Sequence, residues 1–291
     1  MIMKKITLLV TSIILSVAQF SVQADTAPTT CKSAIKNASY TGPYKGAENN
    51  LTLDDFFRDL SCAESFRANK YPNGFVTIFG SSRISENGQS TDPEVNEANA
   101  RLYKQIYNLA YNWTKRNAEV YPILTGAGPG IMEAGARGAT KAGGPSIGYT
   151  TYYGPSRKGE NGDASKAFWQ YRPSSKKAQN IISDGIIFTS VAIRESLMIN
   201  HSAAMVFAPG GTGTEWELFQ TIEQIKSNQL DPLPMYIVGD KDFHWKSFYQ
   251  RLDDMVKRGT IKRYEVEELF THVDNPEDVV KLLERDLKIK K

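Results

Sequence analysis

Pro209-Gly210-Gly211-Thr212-Gly213-Thr214-Glu215-Trp216-Glu217 brings together residue types that can handle a phosphorylated sugar. Glycines let the backbone approach a ligand closely. N–H groups and the dipole at the start of a helix favour a phosphate, and Thr214 can add a hydroxyl. Glu217 follows one turn in. A site built only to hold phosphate gains nothing from a second negative charge, so this carboxylate points to chemistry on the sugar attached to the phosphate. The plainer alternative is an acid placed there by the helix dipole alone.

Two further turns carry similar chemistry. Gly80-Ser81-Ser82-Arg83 follows an apolar run and can meet phosphate or ribose, although alone it says little. Thr125-Gly126-Ala127-Gly128-Pro129-Gly130 superficially resembles a dinucleotide fingerprint, but Pro129 is unusual there and no acidic residue closes the following strand, which argues against a nicotinamide dinucleotide site. Glu133 sits one turn past Gly130, as Glu217 does past its own glycines; it too could be a dipole acid. Arg194 can supply a positive charge, or can form an ordinary surface ion pair.

The elements that position these turns alternate. Strands are expected at Phe75–Phe79, Tyr121–Leu124, Pro145–Tyr149, Ile186–Phe188, Ala203–Ala208 and Pro234–Val238. Helices are expected at Pro93–Arg116, Ile131–Ala142, Ala192–Ser202, Leu218–Ile225, Phe243–Arg258 and Pro276–Lys288. Short apolar strands alternating with helices predict an α/β fold with a doubly wound parallel sheet. Ligands of such sheets bind beyond the carboxyl ends of the strands, where all three turns fall. Ahead of this lies a helix, Leu51–Asn69, with Thr52 as cap and Leu53, Phe56, Phe57 and Leu60 on one face. Residues 25–50 read as an extended lead-in. Residues 154–183 interrupt the alternation, with Phe168, Trp169 and Tyr171 clustered; they are expected to form either a lid over the site or a surface insertion.

Lys and Arg total 35 against 32 Asp and Glu, a net +3. So small an excess argues against a polyanion or membrane-surface binder. Met1–Lys5 is basic, Ile6–Val17 apolar and short, and Val22-Gln23-Ala24 fits a cleavage site, so residues 1–24 read as a secretory signal removed after Ala24. The protein is then expected to be periplasmic or secreted, with no stable membrane anchor. Cys31 and Cys62 are the only cysteines. In an exported chain they are expected to pair, a bridge worth roughly 3 kcal/mol. Their spacing fits no zinc site.

Together, Gly80-Ser81-Ser82-Arg83, the segment Thr125–Ala134 containing Gly-Pro-Gly-Ile-Met-Glu, and Pro209–Glu217 resemble the LONELY GUY (LOG) family, long labelled "lysine decarboxylase-like", and its larger bacterial-type subgroup. The resemblance runs from about Val76 to Asn228, interrupted by the insertion. It implies a Rossmann-like domain over 71–291, after an extension at 25–70. It implies a phosphoribohydrolase, cleaving nucleoside 5′-monophosphates into free base and ribose 5-phosphate without cofactor or metal. By position, Glu217 and Arg194 become the catalytic pair, with Arg194 expected to hold Glu217 ionised. Gly80, Ser82, Gly128, Gly130, Glu133, Gly210, Gly211, Thr212, Gly213 and Thr214 become phosphate or substrate contacts. The expected assembly is a homodimer. Three positions depart from the family pattern: Glu195 where lysine usually follows the arginine, Trp216 where an acid is usual, and Ala127 where glycine is usual. A nucleotide-binding protein without turnover, or a hydrolase of another phosphoribosyl compound, stays open.

Overall fold

A strand without polar alternation must be covered on both faces, and Phe75-Val76-Thr77-Ile78-Phe79 is buried throughout. It lies at the centre of an all-parallel sheet in a computed structural model that describes residues 31–33, 35–88, 90–152 and 181–289. The signal segment 1–24 and the Phe168, Trp169 and Tyr171 cluster lie outside the described residues.

The strands are β1 (Tyr40–Thr41), β2 (Phe75–Phe79), β3 (Ile123–Thr125), β4 (Ser146–Thr151), β5 (Asp184–Phe188), β6 (Ser202–Phe207), β7 (Met235–Val238) and β8 (Thr271–Val273). The described helices are α1 (Leu53–Lys70), α2 (Pro93–Asn117), α3 (Ile131–Lys141), α4 (Val191–Asn200), α5 (Thr212–Lys226), α6 (Lys246–Lys257), α7 (Tyr264–Glu267) and α8 (Val279–Asp286). Sheet order is β1-β5-β4-β3-β2-β6-β7-β8. Chain order reverses between β2 and β6, so the crevice that takes ligands in such folds opens where Gly80 and Pro209 leave the sheet.

The pleat divides the core. Phe75, Phe79, Met205 and Phe207 face a layer containing α1, α4, α5 and α6. Val76, Ile78, Ala204 and Val206 face α2, α3 and α8. This is the doubly wound arrangement expected from the alternation. Two strands, β1 and β8, were not legible. Each is two or three residues long, with no apolar run to mark it. The lead-in is therefore not merely extended: Tyr40 and Thr41 pair with Ile186 and Ile187 as an edge strand.

Helix α1 corrects the expected face. Leu53 is 85% exposed, Phe57 56% and Leu60 40%. The buried side instead presents Asp55, Asp59, Cys62, Ala63 and Phe66. Asp55 is used in a capping box with Thr52. Asp59 accepts from Tyr40 Oη at 2.9 Å and from the Thr189 and Ser190 amides, both at 2.8 Å. Those bonds, with the Cys31–Cys62 disulfide on the same side, decide which way the helix turns. No helix among the described residues is long and apolar enough to cross a membrane.

Candidate active site

Strand β6 ends at Phe207, and Pro209-Gly210-Gly211 turns the chain into α5. Gly211 is the N-cap and has no side chain to satisfy the first amides. Those N–H groups and the helix dipole therefore favour an anion. A side chain at Gly210 would place its Cβ 2.0 Å from Thr214 Oγ1, so glycine is what lets the buried Thr214 hydroxyl sit against the loop. Around Gly211 and Gly213 there is open space, and Thr212 is exposed between them. Gly210–Thr214 thus forms a backbone loop at the helix start, open to solvent at Gly211–Gly213.

Glu217 lies behind that loop on the buried side of α5. Arg194 reaches it from α4, with Nη2 3.7 Å from Glu217 Oε1. Both side chains are over nine-tenths buried. Arg194 is oriented by a hydrogen bond from Nε to Tyr149 O at 3.0 Å, within β4. Its guanidinium covers Gly126, where a Cβ would come 2.4 Å from Nη2. Glu195 takes the other side of the cation, 3.3 Å from Nη1. The turn after β3, the backbone of β4 and the first turns of α5 therefore converge on one arginine.

Arg194 favours the ionised form of Glu217, and burial opposes it. Burial pushes the Glu217 carboxyl up to about 7; Arg194 pulls it down and Glu195 pushes it up further. Burial wins because the carboxylate loses its hydration and Arg194 is shared between two acids. Glu195 is itself raised, first by burial, with Arg194 opposing and Glu48 adding to the rise.

In the second turn Gly126, Ala127 and Gly130 are buried, Gly128 is half-buried and Pro129 exposed. Gly130 has φ +71°, and a Cβ there would stand 2.4 Å from Ser81 O. The first amide of α3, at Ile131, donates to Ser81 O at 2.9 Å. Gly80 packs against Ile131, and Gly128 against Met132. These glycines seat α3 under the Gly80–Ser82 turn, with Ser82 exposed at its rim. Ala127 adopts φ +55° without being glycine. Glu133 is bound elsewhere: Tyr103 Oη on α2 donates to it at 3.0 Å and Arg137 lies 3.6 Å away. Its carboxyl is raised, chiefly by burial.

Three contributors escaped the sequence reading. Tyr149 acts through its backbone carbonyl, which no side-chain pattern reveals. Glu48 and Asp59 meet the start of α4 from more than a hundred residues away. No cluster of three or more His, Cys, Asp or Glu that could hold a metal occurs among the described residues.

The model of the family described as "Possible lysine decarboxylase" matches residues 132–283, just over half of the chain and the part that holds Arg194 and Glu217. The chain belongs to the LOG family. LOG-family proteins often have nucleotide phosphoribohydrolase activity. Comparison with curated proteins found no match. Among solved structures, the chain is similar to the molybdenum cofactor binding protein of Rippkaea orientalis at 18% identity, covering 74% of this chain and 97% of that one, with a TM-score of 0.44. It is also similar to the molybdenum cofactor carrier protein of Chlamydomonas reinhardtii at 14% identity, covering 74% and 99%, again with a TM-score of 0.44. Likeness at that level carries nothing about ligand or activity.

Proposed function

We propose that this LOG-family chain hydrolyses nucleoside 5′-monophosphates to free base and ribose 5-phosphate. The observation that carries this reading is the buried Glu217–Arg194 pair set directly behind the uncapped start of α5. The cradle Gly210–Thr214 receives the phosphate, and Gly80 and Ser82 flank it at the neighbouring strand end. Gly128 and Gly130 support the site by seating α3, and Glu133 braces the wall through Tyr103. The C1′–N bond breaks, the base leaves with the bonding pair and takes a proton, and the oxygen of water joins C1′. A carboxyl held near 7 can give a proton to the leaving base and take one from water. In its ionised form it stabilises the positive charge that builds on the sugar ring. Arg194 orients the sugar phosphate and Glu217.

The working form in this reading is exported, beginning after Ala24, which the Cys31–Cys62 bridge supports. It is a homodimer. Trp216, 61% exposed beside Phe219 on a groove of about 580 Å³ along α5, supports an apolar contact close to the site.

The test is release of base from a panel of nucleoside monophosphates, with Glu217→Gln and Arg194→Ala alongside. Release by wild type and its loss in both variants is the expected result. A second reading, binding without turnover, is favoured by Glu195 lying closer to Arg194 than Glu217 does. Thermal stabilisation by a nucleotide with no base released would establish it and overturn the first.

A further inference from the structure

The start of α4 is held by two carboxylates from outside the domain matched to the family. Asp59 takes the Thr189 and Ser190 amides. Glu48, in the short 3-10 helix Glu48–Asn50, takes the Ser190 hydroxyl, the Val191 amide at 3.1 Å and the Ala192 amide at 3.4 Å. We propose that Glu48 is a positioning residue for the active site, locking the start of α4 so that Arg194, one turn on, meets Glu217 and Tyr149 O together.

Three observations argue that Glu48 does more than cap a helix. First, α4 already has its own cap, because Ser190 Oγ accepts from the Ile193 amide at 3.1 Å. Second, Ala192 is exposed and Val191 half-buried, so water can serve both amides once Glu48 is removed. The one buried group that loses a partner is the Ser190 hydroxyl, which still accepts from the Ile193 amide. Third, the chain of contacts leads inward: Glu48 sits on the helix end, Glu195 beside it faces Arg194 at 3.3 Å, and Arg194 faces Glu217 at 3.7 Å. Glu48 also acts on Glu195 through charge, in the direction that weakens its hold on Arg194. Asp59 secures the frame from below, on the helix tied by the Cys31–Cys62 bridge. The extension therefore belongs to the working site rather than hanging from it.

The consequence for turnover rests on the hydrolase reading; the positioning itself does not. The experiment pairs two readouts on the full chain, with Glu48→Ala and Glu48→Gln. One is kcat and KM for base release. The other is hydrogen exchange of the Arg194 Nε–H, identified by its loss in Arg194→Lys. A displacement of order one ångström costs about 100-fold in rate, so Glu48→Ala is expected to lower kcat by about 10- to 100-fold with little change in KM. Arg194 Nε–H exchange is expected to accelerate at least about 10-fold in parallel, since the bond to Tyr149 O opens more often. Sodium formate, filling the vacated helix end, should restore both in a saturable way, and Glu48→Gln should fall between. Unchanged Arg194 exchange in Glu48→Ala overturns the proposal. So does faster exchange or lost activity that formate does not restore. If wild type releases no base at all, the hydrolase reading fails, and exchange with and without formate still decides whether Glu48 positions Arg194.

Discussion

Replacing Glu217 by glutamine removes one titrating group from the interior without changing its shape. The structure says what this does to stability as pH changes. The carboxyl is pushed from its ordinary 4.5 to about 7. A raised acid means the native state holds its proton more tightly than the unfolded chain does. Below pH 4.5 both states are protonated and nothing is lost. Between 4.5 and 7 the unfolded chain has released a proton that the native state keeps, so stability falls as pH rises. Above 7 the native carboxyl ionises too, and the full penalty of about 3 kcal/mol is in place. Glu217→Gln carries no such penalty. Its advantage over wild type should grow by about that amount from pH 4.5 to pH 8, on top of any constant offset. Glu195 is raised as well and interacts with Glu217, so the midpoint of the difference curve belongs to the pair. Urea unfolding of both proteins, followed by fluorescence at half-unit steps of pH, measures the curve. A difference that stays flat across this window refutes the burial argument. One that shrinks as pH rises means Arg194 stabilises the ionised form more than burial opposes it.

Arg194→Ala should leave Glu217 without its cation and cost about 3–5 kcal/mol at pH 8, less at pH 5, by the same unfolding assay. Gly210→Ala should displace Thr214, whose Oγ1 would be 2.0 Å from the new Cβ; calorimetry with inorganic phosphate should show affinity lowered by about 10-fold, as expected for a displaced anion contact. Cys31→Ser with Cys62→Ser should lower stability by about 3 kcal/mol, and adding reductant to wild type should reproduce that loss. Ala127→Gly should raise the melting temperature, because φ +55° costs alanine of order 1 kcal/mol that glycine does not incur; an unchanged or lower melting temperature would show that the position is not strained.

What the sequence revealed, and what it hid, follows from how far each structural cause lies along the chain. Phe75–Phe79 and Ala203–Ala208 were legible because a strand covered on both faces needs an unbroken apolar run, and that run is local. The Gly210–Thr214 loop was legible for the same reason: a strand end, glycines and a helix start are consecutive, and Thr214 and Glu217 are fixed relative to them by helix geometry alone. Arg194 was legible from the residues only as a candidate positive charge; its pairing with Glu217 came through the family resemblance, since nothing near it in sequence announces Glu217 or the carbonyl of Tyr149.

Helix α1 shows the opposite case. Its apolar residues Leu53, Phe57 and Leu60 repeat at helical spacing, and a periodicity argument turns them inward. The fold turns them outward because Asp59 must meet two amides at the end of β5, 130 and 131 residues later. A buried acid with good partners outweighs an apolar stripe: leaving its acceptors or those amides unpaired costs about 1–3 kcal/mol each, comparable with burying one leucine, and here several bonds are at stake. The upward push on Glu217 was hidden for a related reason. Sequence shows that an arginine and a glutamate can meet, but not that a second glutamate shares the arginine or that both partners leave water. The sign of the shift is set by burial and by Glu195, and both act only once β4, α4 and α5 have been brought to one point.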